Sequence, residues 1–180
     1  MKVTGGVLKD FVIKEREGIT RDDFYLSDEF REELFNFIPE KIITNAHTLD
    51  ISAENGILGI EALSRGAADC DFVEKNPDSS QIIRQNLANT DLLSKGRIFT
   101  LPEEDFVRKL LAKYNLIFYN SAGKILDFYI VENLVKHLAA KGYFVVIYSY
   151  RVILPYTIKT AKIIQTWQPN EIKVSIFQNQ

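Results

Sequence analysis

Cysteine is almost missing from this chain. Cys70 is the only one in 180 residues, so no internal disulfide can form and a zinc site built on cysteines is excluded. His47 and His137 are the only histidines, and neither has a Cys or acidic partner at ligand spacing, so no metal site is expected. No apolar run approaches the roughly 18 to 20 residues of a membrane span. The opening Met1-Lys2-Val3-Thr4-Gly5-Gly6 has no apolar signal core, and a cytoplasmic protein with no membrane partner is expected. A strong excess of positive charge is also absent: 22 Lys and Arg stand against 24 Asp and Glu, for a net charge of −2. Electrostatic gripping of bare nucleic acid favours a basic surface, and composition does not supply one. Lys9, Lys14, Arg16 and Arg21 make the N-terminal region locally basic, but Asp10, Glu15, Glu17, Asp22 and Asp23 offset them, as on a solvated face.

What the chain does have is apolar content, 46%, enough for the core of one domain spanning residues 1–180. Val3, Leu8, Phe11, Val12 and Ile13 around Gly5-Gly6 predict a short N-terminal hairpin over about 1–14. Glu15 to Arg21 reads as a charged loop. Ser27 to Ile38 reads as a helix capped by Ser27 and ended by Pro39. From His47 strand and helix patterns alternate. Strands are expected at 48–52, 70–74, 97–101, 115–119 and 143–148. Helices are expected at 57–65, from the Asn76-Pro77 cap to about Asn89, at 103–113, and at 124–140 with Gly142 closing the last. That alternation implies an α/β fold whose mostly parallel sheet is covered on both faces. Ile163–Trp167 and Ile172–Phe177, joined by Gln168-Pro169-Asn170-Glu171, predict an antiparallel hairpin at the sheet edge. Cys70 is expected in the core, and Tyr143, Phe144, Tyr148 and Tyr150, clustered around the fifth strand, read as packed core or, alternatively, as a base-stacking platform.

The segment Asp50-Ile51-Ser52-Ala53-Glu54-Asn55-Gly56-Ile57-Leu58-Gly59 reads as strand end, glycine loop and helix start. In an open α/β sheet ligands bind beyond the carboxyl ends of the strands. Asp50 is thereby a candidate at the site, and Gly56 and Gly59 allow close backbone approach and helix packing. Glu74 ends the next strand within about 20 residues, where an acid can accept ribose hydroxyls. It reads equally as a solvated strand-end carboxylate.

Leu58-Gly59-Ile60-Glu61-Ala62-Leu63-Ser64-Arg65-Gly66-Ala67, Phe72-Val73-Glu74-Lys75, the Arg31-Glu32-x-Leu34-Phe35-Asn36 helix and the Gly5-Gly6 hairpin together resemble the RsmD family. The resemblance implies a Rossmann-like S-adenosylmethionine methyltransferase fold. It implies S-adenosylmethionine as cofactor, bound by Asp50, Gly56, Gly59 and Glu74. It implies ribosomal RNA or the assembling small subunit as partner, and methylation of a guanine amine as activity. Against that pattern the chain departs at chemistry. Glu54 stands where the family's loop has glycine, Pro102 where it has an adenine-contacting residue, and Asn120-Ser121-Ala122-Gly123 where it has an Asp-Pro-Pro-Tyr type motif. Phe24-Tyr25-Leu26 replaces its Arg-Pro-Thr lead-in to the first helix. Asn120 reads as a turn residue or as the acceptor for a target amine. Glu103 and Glu104 stand beside Pro102. Departures gathered on chemistry, with the scaffold kept, imply a family member of weak or silent catalysis that acts by binding; an active enzyme with a remodelled site is the alternative.

Overall fold

The computed structural model describes residues 1–16 and 26–180. The charged loop expected at Glu15–Arg21 lies outside the described residues from Glu17 onward, as do Phe24 and Tyr25.

Six α-helices and eight strands follow the chain among the described residues: α1 Asp28–Asn36, α2 Glu40–Ile43, β1 His47–Ile51, α3 Ile57–Ser64, β2 Asp69–Val73, α4 Pro77–Asn89, β3 Gly96–Phe99, α5 Glu103–Lys109, β4 Tyr114–Asn120, α6 Phe128–Lys136, β5 Leu138–Ser149, β6 Thr157–Ile158, β7 Ala161–Trp167 and β8 Ile172–Asn179. The strands form one sheet in the order β3-β2-β1-β4-β5-β8-β7-β6. The first five pair in parallel and the last three antiparallel. Leu116, Phe118, Val145 and Ile147 point into a core shared with α1, α3 and α4. Their neighbours Ile117, Tyr119, Phe144 and Val146 point into a second core with α5 and α6. The period-two alternation of strand side chains accounts for this division.

Local chemistry sets the helix starts. Ser27 Oγ accepts from Phe30 N at 3.1 Å. Asn76 Oδ1 accepts from Asp78 N and Ser79 N, with Pro77 at the first helical position. Asp127 does the same for α6 through Tyr129 N at 2.8 Å. That last cap was not read from the sequence, and it corrects the helix expected at 124–140. The helix starts at Phe128 and ends at Lys136, and Gly142 lies inside β5 rather than after a helix. Residues 138–142 continue as strand because Tyr114 of β4 pairs with Leu138 before the register shifts. The C-terminal hairpin forms as expected, but β6 rather than the hairpin ends the sheet. The N-terminal hairpin is reduced to one antiparallel bridge, Lys2 to Val12, around a 3-10 turn at Gly6–Leu8.

The residues that carry the family resemblance meet at one place. Glu61 is fully buried, and its carboxylate accepts from Thr4 N at 2.6 Å and from Arg31 Nε and Arg65 Nε at 3.4 Å each. Arg31, also fully buried, donates to the carbonyls of Leu26 and Lys2 and to Asp28 Oδ1. Arg65 lies 4.7 Å above the Phe35 ring. Ser64 Oγ donates to Gly5 O at 2.6 Å and accepts from Leu8 N at 2.9 Å. A Cβ on Gly6, at φ +77°, would sit 1.9 Å from the Ser64 carbonyl oxygen. The N-terminal segment, α1 and α3 are therefore clamped around one carboxylate. Truncating one partner of such a pair strands a buried charge. Glu61→Ala is expected to lower stability by about 3 kcal/mol or more, read as a reduced urea midpoint at unchanged slope.

Candidate functional site

Between β1 and β4 the strand order reverses, and a cleft of about 400 Å³ opens there at the carboxyl ends. Its walls come from four places: the β1 end and its loop (Asp50, Ser52 to Asn55), the β2 end (Glu74 to Asn76), the loop after β4 (Asn120, Ala122 to Lys124), and the N-terminal segment through Met1, Glu15, Arg16 and Leu26. Asp50, Glu74 and Asn120, far apart in sequence, are thus brought together. Gly56 and Gly59 do not reach the walls. A Cβ on Gly59 would lie 2.3 Å from the Phe72 ring and 2.7 Å from Cys70 Sγ, so that glycine packs α3 onto β2. Cys70, Tyr143, Phe144 and Tyr148 are core, as expected, but Tyr150, beyond the end of β5, is only partly buried and belongs to neither core.

Asp50 is 1% exposed, and its Oδ2 accepts from Gly59 N at 2.9 Å. The carboxyl thereby pins the first turn of α3. Burial pushes its pKa up to about 8, only partly opposed by the Gly59 N–H, with the charges of Glu54 and Glu74 adding to the rise. At neutral pH Asp50 is mainly a protonated carboxyl, able to donate as well as accept.

Glu74 is not a solvated carboxylate. It is 5% exposed, and its two oxygens accept from Glu54 N at 2.9 Å and Asn76 N at 2.8 Å. It holds the glycine loop against the tip of β2. Glu54 follows from that bond: its backbone is held at φ +54°, left-handed, and its exposed side chain stands at the cleft mouth. For a non-glycine residue this conformation costs roughly 1–2 kcal/mol, which is a physical reason for glycine at such a position. Asn120, 9% exposed, turns its Oδ1 back onto Ala122 N at 3.1 Å. That is the Asx geometry of a turn residue.

Three contributors escape sequence reading. Ser52 Oγ donates to Glu103 Oε1 at 2.5 Å and ties the β1 loop to α5. Glu103 is half-buried; desolvation works to raise its pKa, but Ser52, its own N–H, Lys124 and Lys75 together hold it below the usual carboxylate range. Asn86 bridges the segments, donating to Lys14 O and Asn55 O at 3.0 Å each. Lys124 brings a cation to the cleft beside Asn120. None of these has a spacing signature, because each partner is distant in sequence. His47 is exposed with Asp69 Oδ2 2.7 Å from its Nδ1. Among the described residues no cluster of three or more His, Cys, Asp or Glu is placed to hold a metal, and no helix is long and apolar enough to cross a membrane.

The folded pKa of Asp50 lies above the ordinary carboxylate value of 3.8, so the native state keeps a proton that the unfolded chain has lost. Its stabilising share is complete below about pH 4 and disappears as pH rises through about 8. Asp50→Asn keeps the acceptor for Gly59 and cannot ionise. Its melting temperature is expected to exceed that of the unaltered chain at pH 8 to 9 by roughly 3 °C or more, the scale of 1 kcal/mol at this size, with no such gain at pH 4. Parallel melting curves across that range would discount the buried proton.

The model of a protein family described as conserved hypothetical protein 95 matches residues 1–178. Ribosomal RNA small subunit methyltransferase D of Escherichia coli (strain K12) is 35% identical over 92 residues, covering 51% of this chain and 46% of that protein. The matched stretch therefore spans about half the length of that relative. Among solved structures, yhhF from Escherichia coli superposes with a TM-score of 0.88 at 23% identity, over 100% of this chain and 98% of that one. SMU.776, crystallised with SAH, superposes with a TM-score of 0.70 at 12% identity, over 86% of this chain and 50% of that one. These likenesses show the fold, the α/β methyltransferase sheet with an antiparallel C-terminal hairpin expected from the sequence. A family model that runs through nearly every residue goes further, and on it this chain belongs to the RsmD family.

Proposed function

We propose that this chain is a single-domain RsmD-family protein, cytoplasmic, whose methyl-transfer chemistry is weak or silent and which acts by binding an RNA or ribosomal surface. The relative named as a small-subunit ribosomal RNA methyltransferase supports RNA as the partner. The observation that carries the reading is Glu54, an acid held in a glycine conformation at the mouth of the cleft, close enough to raise the pKa of Asp50.

S-adenosylmethionine fits the cleft in size, since small-molecule sites run to about 300–1,000 Å³. Asp50 and Glu74 are the residues that would hold it, and when bound it supplies the methyl group. Glu54 works against that grip. A carboxylate at the glycine position takes space and repels another carboxylate, such as that of the cofactor's amino-acid end. At the acceptor side Asn120 supplies an amide oxygen, but Ala122 N–H already occupies it in part. Neither proline nor an aromatic ring stiffens Asn120-Ser121-Ala122-Gly123, and Gly123 sits at φ +75°. Methyl transfer depends on donor and acceptor held in line, and this loop has little to enforce it.

One observation favours the second reading, an active enzyme with a remodelled site. Glu54 is exposed at the rim, so the cleft behind it is open. In that reading Glu74 takes the ribose and Asn120 the target amine.

Glu54→Gly is expected to tighten S-adenosylmethionine binding about tenfold, or about 1.4 kcal/mol, in calorimetric titration. Unchanged affinity would mean that the Glu54 carboxylate does not act on the cofactor. A dissociation constant of the unaltered chain below about 1 μM would refute weak cofactor binding. Transfer of labelled methyl to small-subunit RNA or assembled subunits is expected to be near background. Robust transfer, lost about tenfold or more in Asn120→Ala, would establish the active enzyme instead.

A further inference from the structure

Asn86 lies on α4, behind the cleft walls, and is 1% exposed. Its side-chain amide is committed to the backbone of two other segments. Nδ2 donates to Lys14 O and to Asn55 O at 3.0 Å each, and Oδ1 accepts from Lys14 N at 2.8 Å. Towards Lys14 the amide gives one bond and takes one, as a neighbouring strand would. A carboxylate has no hydrogen for the two carbonyls, and an apolar side chain has nothing for any of the three groups. The two segments joined in this way are parts of the cleft rim. Lys14 leads directly into Glu15 and Arg16, and Asn55 follows Glu54; Glu15, Arg16, Glu54 and Asn55 all line the cleft. A second contact runs alongside: Ile13 N donates to Met1 O at 3.1 Å, and Met1 Sδ lies 3.4 Å from Asn55 Nδ2. Asn55 Oδ1 in turn accepts from Ile57 N at 3.1 Å, where α3 begins. The N-terminal wall, the glycine loop and the start of α3 are therefore held together through one amide of α4.

We propose that Asn86 is a positioning residue for the cleft: it touches no ligand, and it sets the affinity for an adenosyl cofactor by fixing the N-terminal wall against the glycine loop. The inference rests on the cleft being the cofactor site, as in the reading above, and it holds whether transfer there is silent or active. Because the same amide is bonded to both segments, a ligand that orders the loop also orders the chain around Lys14. By linkage the coupling runs equally in the other direction, so whatever seats the N-terminal segment tightens the cleft. A residue that served only the stability of the fold would lower the melting temperature without singling out the cleft, and that difference is measurable.

The test uses the full chain and S-adenosylhomocysteine, which has no methyl group to transfer. Its dissociation constant is read by calorimetry up to millimolar ligand, and hydrogen exchange is followed over residues 9–16. Asn86→Ala is expected to weaken the probe about tenfold. Asn86→Asp keeps the acceptor for Lys14 N but turns oxygen toward the carbonyls of Lys14 and Asn55, and should weaken it at least as much. In the unaltered chain, saturating probe should slow exchange over residues 9–16 by about fivefold or more, and in Asn86→Ala that slowing should vanish. Leu134→Ala, in the second core on α6, is destabilising through a cavity and should leave both the affinity and the exchange response as they are. If Asn86→Ala does not fold at the working temperature, Asn86→Asp is read in its place. Equal affinity in the Asn86 variants and the unaltered chain overturns the positioning role and leaves the functional reading standing. An equal loss in Leu134→Ala overturns it too, since the effect would then be one of global stability. Bound probe without any change of exchange over residues 9–16 overturns the coupling to the N-terminal wall. Absence of probe binding at millimolar concentration overturns the positioning role together with the cofactor site, while binding of purified small ribosomal subunits would still uphold the RNA-binding reading. A constant below about 1 μM in the unaltered chain, weakened tenfold in Asn86→Ala, refutes weak cofactor binding and upholds the positioning role.

Discussion

One buried carboxylate organises this molecule. Glu61 sits at zero exposure between two guanidinium groups and a backbone N–H. A charge so placed is tolerable only when every lone pair is met, and the groups that meet it come from three separate parts of the chain. Thr4 brings the N-terminal segment, Arg31 brings α1, and Arg65 closes the far end of α3. Arg31 then uses its remaining donors on the carbonyls of Lys2 and Leu26. Met1, Glu15, Arg16 and Leu26, all cleft-lining, lie on the segments gathered by this clamp. One wall of the cleft is therefore set by a buried ion pair.

The opposite wall depends on a smaller device of the same kind. Asp50 holds Gly59 N–H and Glu74 holds Glu54 N–H, so two acids fasten the loop between β1 and α3 from either side. Their closeness has an electrostatic consequence. Burial of Asp50 first, and the nearby charges of Glu54 and Glu74 after it, keep the proton on Asp50 to about pH 8. The loop conformation that results is left-handed at residue 54. A glycine would adopt it freely; a glutamate adopts it because the Glu74 bond and the tight turn to Gly56, whose N–H reaches Ala53 O at 2.7 Å, leave no alternative. The loop thus holds a backbone conformation that suits glycine while carrying a glutamate, whose side chain lies at the mouth of the cleft.

Much of the fold was legible. Strand and helix order, the Ser27 and Asn76 caps, the parallel sheet and the C-terminal hairpin follow from period, turn residues and caps, all of which act over a few neighbours. Where legibility failed, the deciding contact was remote. Gly142 resembles a helix stop, yet the pairing of β4 with β5 draws it into a strand. Thr157–Ile158 is too short to have a pattern and is a strand only because β7 lies beside it. For the site, the positions of Asp50, Glu74 and Asn120 followed from strand ends, but what each side chain does there did not. Glu74 could be a ribose acceptor or a solvated acid from sequence alone; in the fold it is buried and bonded to two backbone N–H groups.

By itself the sequence determined the elements, the handed alternation that places loops at one end of a sheet, and the residue types available there, because those depend on local propensity and hydrophobic period. Only the tertiary structure decided which of them meet. It turned the Arg31, Glu61 and Arg65 signature into a clamp, Gly59 into a packing residue against Phe72, and Glu54 into a rim carboxylate. Exposure, hydrogen bonding and proton affinity are properties of surroundings assembled from distant segments, and no window of sequence contains those surroundings.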